Sequence, residues 1–119
     1  MLPARHRLRA SADFASAVRG PGSRRSGGRL LVVHANRIAD RAALPPRAGF
    51  VVSRSVGNAV VRNRTKRRLR AIVAAHLDLV EPGTDLVVRA NPAAAHASYA
   101  ELDVALARQL EQACARVTL

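Results

Sequence analysis

The sequence predicts one α+β domain, a small sheet carrying helices, in the order α-β-β-α-β-α. Three observations predict it. The chain has 119 residues and is 49% apolar, which suffices for one hydrophobic core and argues against disorder throughout. Short Val- and Leu-rich runs alternate with segments whose apolar residues recur every three or four positions. Gly and Pro clusters separate these segments. Phe14, Phe50 and Tyr99 are the only aromatics, so the core must be built from Val, Leu, Ile and Ala.

Residues 1–10 are expected to be a flexible basic N-terminus of a domain that spans residues 1–119. Ser11 is placed to cap a first helix running to about Arg19, with Asp13 near its positive end. Phe14 and Val18 lie four apart on one face of it. Gly20-Pro21-Gly22-Ser23 stops the helix and Ser26-Gly27-Gly28 continues the loop. Arg29 to Asn36 reads as a strand and Arg47 to Ser53 as a second. Residues 37–46, with Pro45 and Pro46, form a long loop through which the two are expected to pair as antiparallel neighbours. Asn58 caps the longest helix, which runs to about Val80 before Pro82-Gly83. Thr84 to Ala90 is a third strand, ended by Asn91-Pro92. Ser98-x-x-Glu101 is a capping box that opens a last helix, with Leu102, Leu106, Leu110, Ala113 and Val117 on its core face.

The placement of charge narrows the function. Residues 1–70 hold 17 Arg or Lys against 2 acids; residues 71–119 hold 3 against 6. A field so one-sided points to a polyanion, nucleic acid first, because neutralising phosphates releases counterions. A preference for Arg over Lys, 19 to 1, fits a GC-rich coding bias, but such a bias does not gather the charge before residue 71. No stretch approaches the roughly 20 apolar residues of a spanning helix. Arg5, Arg7 and Arg9 interrupt any signal-peptide core, so a cytoplasmic protein without a membrane partner is expected. Cys114 is the only cysteine, which rules out an internal disulfide, and no Cys/His ligand set is present.

The most informative stretch runs from Gly57 to Arg70. Six of the nine residues 62–70 are basic. On a helical wheel Val61, Thr65, Leu69, Ile72, Val73 and His76 share one dry arc. Asn63, Arg64, Lys66, Arg67, Arg68 and Arg70 spread over the rest, with Arg62 at the margin. Like charges at Arg62/Lys66, Lys66/Arg70 and Arg64/Arg68 destabilise an isolated helix, and no carboxylate lies between Asp40 and Asp78 to offset them. Guanidinium forks on one rigid rod suit successive phosphates, and the Asn63 amide suits a base edge or a 2′-hydroxyl.

Gly57-Asn58-Ala59-Val60, then Arg62-Asn63-Arg64, Lys66-Arg67 and Arg70, resemble the RNR motif of the bacterial ribonuclease P protein family. Leu2-Pro3, His6-Arg7-Leu8-Arg9, Asp13-Phe14, Gly49 to Arg54 and Asn91-Pro92-Ala93 extend the resemblance to roughly residues 2–112. It implies a two-layer α/β sandwich like the second domain of ribosomal protein S5, with a left-handed βαβ crossover through the basic helix. It implies a protein subunit of an endoribonuclease that removes the 5′ leader of precursor tRNA. It implies, too, that Mg2+ on the catalytic RNA does the chemistry, and that the protein has no catalytic residue, intrinsic metal or obligatory protein partner. Carried over by position, Arg54, Asn58, Arg62, Asn63, Arg64, Lys66, Arg67, Arg68 and Arg70 would bind the catalytic RNA. Phe14, Val18, Val33, Arg89 and Asn91 would line the leader cleft. The chain departs from the family at this cleft: Val18 stands at a second aromatic position, Val33 or His34 at another, and Asn91 where a basic residue often precedes the proline. Leader contacts that rely more on Arg follow from these departures.

Three other readings are weaker. An autonomous nuclease would need clustered carboxylates, and the first 77 residues hold only Asp13 and Asp40. His6, His34, His76 and His96 show no paired spacing, and His76 fits a core or boundary position. A structural RNA-binding protein, such as a ribosomal protein, differs only in lacking the motif. A helix-turn-helix DNA regulator would place a short helix and a tight turn before the basic helix, where this chain has a strand.

Overall fold

The computed structural model describes residues 2–114. Its helices are α1 (Ser11–Arg19), α2 (Ala59–Ala75) and α3 (Tyr99–Cys114). Its strands are β1 (Arg24–Gly27), β2 (Leu31–Arg37), β3 (Arg47–Val51) and β4 (Thr84–Ala90), and short 3-10 turns join them. The fold is α+β, with one four-stranded sheet in the order β1-β2-β4-β3.

The expected antiparallel pairing of β2 with β3 does not occur. β4 lies between them, antiparallel to β2 and parallel to β3. The reason is burial. Leu86, Val87 and Val88 of β4 are fully buried on alternating faces, so the most apolar strand takes a central position. β1 was expected to be loop. Arg24-Arg25-Ser26-Gly27 has no apolar alternation, and its strand form comes from pairing with β2, Ser26 opposite Val33. Inward-facing Ser26 meets polar α3 side chains: Gln109 Nε2 donates to the carbonyls of Ser26 and Leu31, both at 2.8 Å.

The two faces of the sheet differ. Leu31, Val33 and Ala35 of β2, Ala48 of β3, and Leu86, Val88 and Ala90 of β4 pack against Leu69, Ile72 and Val73 of α2 and Leu102, Leu106 and Leu110 of α3. This is the main core. Among the described residues, the other face carries α1 alone as a helix, over a small cluster of Leu8, Ala17 and Val87 flanked by Phe14, Val18 and Val51. Sheet and α2/α3 thus form the two-layer sandwich, and α1 lies across its opposite face.

Chirality fixes the hand of the β3-α2-β4 crossover. Ala48 turns its side chain toward the α2 face, while its carbonyl accepts from the Leu8 N–H at 2.9 Å on the outer edge of β3. In an upward strand of L residues seen from the side-chain face, that residue's backbone polar groups point right. β4 therefore lies to the left of β3, and the connection through α2 in front is left-handed, against the usual preference.

Local signals hold at most helix ends. Asn58 Oδ1 accepts from the Val61 N–H at 3.0 Å, capping α2. The Ser98–Glu101 box forms reciprocally, at 2.8 and 3.1 Å. Ser11, by contrast, is the first helical residue of α1. Ala10 is the cap residue, with no side-chain bond. α2 ends at Ala75 rather than near Val80: His76 leaves helical geometry (φ −114°, ψ 13°) and a 3-10 turn follows. Leu102, Leu106, Leu110 and Ala113 face the core as expected, and Val117 lies outside the described residues.

The N-terminal segment is docked rather than free. Leu2 and Leu8 are buried, and His6 Nδ1 lies 2.8 Å from the Pro46 carbonyl. Arg7 Nε donates to the Leu2 carbonyl at 2.8 Å. Two apolar anchors and an edge bond on β3 hold residues that composition alone marks as a basic tail.

A buried carboxylate ties α1 to the sheet. Asp85 of β4 is 1% exposed. Arg47 of β3 donates Nε and Nη2 to its two oxygens at 2.9 and 2.8 Å, and Arg47 Nη1 lies 3.4 Å from Asp13 in the first turn of α1. Arg41 approaches Asp85 at 3.9 Å. The bond to Asp85 raises the Arg47 pKa above its ordinary value, so the guanidinium stays charged. Replacing Asp85 leaves the largely buried Arg47 guanidinium without its two shortest hydrogen bonds. Asp85→Ala is therefore expected to cost roughly 3–5 kcal/mol of unfolding free energy in urea titration, with an unchanged m-value.

Candidate nucleic-acid interface

The α2 helix stands because its dry stripe is buried. Thr65, Leu69, Ile72 and Val73 are buried against the sheet and α3, and Thr65 Oγ1 donates back to the Val61 carbonyl at 2.9 Å. His76, just past the helix, is half-buried with Nε2 2.7 Å from Asp103 of α3, a boundary histidine. With one side committed, the basic residues occupy the other three.

Asn63 and Arg67 form the exposed crest. Arg64 and Arg68 take one flank, where Arg64 Nη2 and Arg68 Nη1 donate to the carbonyls of Ala95 and Ala97, both at 3.3 Å. Those carbonyls, in the turn before α3, relieve a like-charge i,i+4 pair that the sequence leaves uncompensated. Lys66 and Arg70 take the other flank and face the N-terminal segment. Arg62 is half-buried, and Arg54 is exposed in the turn leading into the helix. Among the described residues, no ion pair engages any cation of α2. The helix presents positive charge outward, while the described carboxylates that form ion pairs do so with other residues. Of the nine residues assigned to this surface, Asn58 caps the helix, and Arg64 and Arg68 also tie it to the turn before α3.

The second predicted group is only partly assembled. A groove of about 210 Å³ between α1 and the sheet is lined by Phe14, Val18 and Arg89, together with Arg19, Val51 and Val87. Val33 does not reach it. It is fully buried on the opposite face, in the α2/α3 core. His34, one residue on, is paired with Val87 and faces the α1 side. Four of the first five side chains of β2 are apolar, all but His34, so periodicity there leaves the facing undecided. Asn91 lies past the end of β4, where Nδ2 donates to the Gly28 and Arg29 carbonyls at 2.9 and 3.3 Å and staples the β1–β2 turn.

Phe14 packs directly against β3 because residue 49 is glycine; a Cβ there would overlap the outer end of the ring. Beyond the ring, on the outer edge of β3, a cavity of about 370 Å³ is walled by Arg7 and Arg9 on one side and Lys66 and Arg70 on the other. Arg7 and Arg9 were not among the predicted site residues, since nothing in their spacing showed that the tail folds back. Among the described residues, no three His, Cys, Asp or Glu side chains gather as a metal site, so no step is derived through a metal on this chain.

His34 is buried and its Nδ1 has no hydrogen-bond partner. Burial first, then the Arg89 and Arg25 charges, lower its pKa below the ordinary 6.5. The unfolded chain therefore binds this proton more readily than the folded one. The neutral ring's contribution to stability is complete above about pH 6.5 and is lost as pH falls toward the lowered folded value. His34→Gln is expected to lose less stability than the parent between pH 7.5 and 5, measured as the difference in urea midpoints. Equal losses would contradict this account of His34.

The family model described as ribonuclease P matches residues 2–114. The ribonuclease P protein component of Acidothermus cellulolyticus is 54% identical over 102 residues, covering 86% of this chain and 82% of that protein. The counterpart from a Nocardioides species is 50% identical over 117 residues, covering 98% and 95%. The solved RNase P protein of Staphylococcus aureus superposes with a TM-score of 0.79 at 26% identity, covering 91% of this chain and 94% of that one. The RNase P protein of Thermotoga maritima shares the fold, with a TM-score of 0.75. A left-handed crossover through a cationic α2, an RNR motif on that helix with Asn63 exposed, and this similarity along nearly the whole length agree: the chain belongs to the ribonuclease P protein family.

Proposed function

We propose that this chain is the protein subunit of a ribonuclease P holoenzyme, that α2 binds the catalytic RNA, and that the groove beside α1 holds the 5′ leader of precursor tRNA. The observation that carries the reading is α2 itself: six cations on one buried-backed helix, none of them paired with an acid among the described residues. Asn63 and Arg67 form its exposed crest, Arg54 is exposed in the turn before it, and Arg64 and Arg68 are oriented by the Ala95 and Ala97 carbonyls. Phosphate contacts of this kind position a folded RNA. In the groove, Phe14 offers a stacking face and Arg89 and Arg19 offer charge, fitting an unpaired strand. The protein holds and orients. Phosphodiester hydrolysis, with its Mg2+, resides on the RNA subunit, in the cytoplasm. Among the described residues, no helix is long and apolar enough to cross a membrane.

The purified protein alone is expected to cleave nothing and to raise cleavage of precursor tRNA by its cognate RNA at low Mg2+. Metal-dependent cleavage by the protein without RNA would refute this division of labour. Arg67→Ala removes an exposed crest cation without touching the core. It is expected to weaken affinity for the catalytic RNA and to lower the slope of log affinity against log salt by about 1. An unchanged slope would show that the crest faces away from RNA.

A further inference from the structure

We propose that the cavity on the outer edge of β3 binds one phosphodiester of single-stranded RNA, with the docked N-terminal segment as one wall. The proposal rests on the function proposed above and adds a site to it. The cavity wraps around the edge strand: Lys66 and Arg70 enter from the α2 face, Phe14 from the α1 face, and Arg7 and Arg9 close it from outside. Four cations from two separate segments converge here, and no carboxylate is among the lining residues. Asp13, the acid at the start of α1, is engaged by Arg47. The convergence repels itself unless an anion enters. Guanidinium groups and an ammonium, all donors, match phosphate oxygens.

The wall is built in advance. Leu2 and Leu8 are buried, the Leu8 N–H is bonded to the Ala48 carbonyl, and Arg7 Nε is bonded to the Leu2 carbonyl. Presenting Arg7 and Arg9 therefore costs little ordering entropy on binding. About 370 Å³ is a small-ligand volume that admits a nucleotide and not a duplex. The Phe14 ring accepts an unpaired base. The ring also borders the α1 groove, so a strand lying in that groove reaches the cavity as it passes toward α2. An unpaired leader and an unpaired segment of the catalytic RNA share this chemistry, and continuity with the groove assigns the leader.

Arg9 is exposed, and among the described residues no ion pair uses it, so it can be changed without unpacking the segment. Holoenzyme reconstituted with the full chain carrying Arg9→Glu is compared with the parent and with Arg9→Lys. Affinity is measured for precursor tRNA with leaders of graded length, for mature tRNA, and between the protein and the catalytic RNA. Arg9→Glu is expected to lose about tenfold in affinity once the leader is long enough to reach the cavity. It should change less than about twofold for mature tRNA and for the catalytic RNA, and Arg9→Lys, which keeps the charge, should keep most of the parent's affinity. A loss confined to the catalytic RNA, an equal loss for leaderless substrate, or no loss at all would overturn the assignment. A parent chain that neither bound that RNA nor changed cleavage would instead sink the functional reading beneath it.

Discussion

Everything on the functional surface depends on one stripe of contacts: Thr65, Leu69, Ile72 and Val73 of α2 buried against the sheet and α3. A helix with like charges at so many i,i+4 positions is poor as an isolated segment. Tertiary burial of the stripe makes up for that, since most helical stability in proteins comes from packing. The repulsion then works for binding, because a rigid positive surface is already assembled when a polyanion arrives.

The charges are also sorted by depth. The buried carboxylate Asp85 is spent on Arg47, which in turn reaches Asp13 and holds α1 over the second face of the sheet. Glu81 meets Arg37, and Asp103 meets His76. The acids thus serve the frame, while the α2 cations are left to solvent or to backbone carbonyls. This division, more than the overall excess of Arg, separates an RNA-binding surface from a generally basic protein.

The left-handed crossover follows from the same frame. It sets α2 against the main core, with Lys66 and Arg70 turned toward the edge of β3 where the N-terminal segment docks. The α1 groove opens on the opposite face of the sheet, and the edge cavity joins the two. Gly49 matters here for a steric reason: only a residue without Cβ lets Phe14 lie against β3 and border both spaces. Arg19 and Arg89 stand with Phe14 in the lining of the groove.

The sequence by itself determined the local and the additive features. The Asn58 cap, the Ser98–Glu101 box, the apolar stripe of α2, the β4 run and the concentration of charge before residue 71 depend on near neighbours or on counting, and all were legible. Only the tertiary structure decided what depends on pairing between distant segments. β1 exists because β2 offers it an edge, β4 lies between β2 and β3 because both of its faces can be buried, and Val33 faces the core while His34 faces α1 because register sets facing. The docking of residues 2–10 belongs with these, since Leu2 and Leu8 reveal a fold-back only once there is a surface to receive them. Helix periodicity is written along the chain; strand partners and the facing of a doubly buried strand are not, because either choice satisfies the same local chemistry.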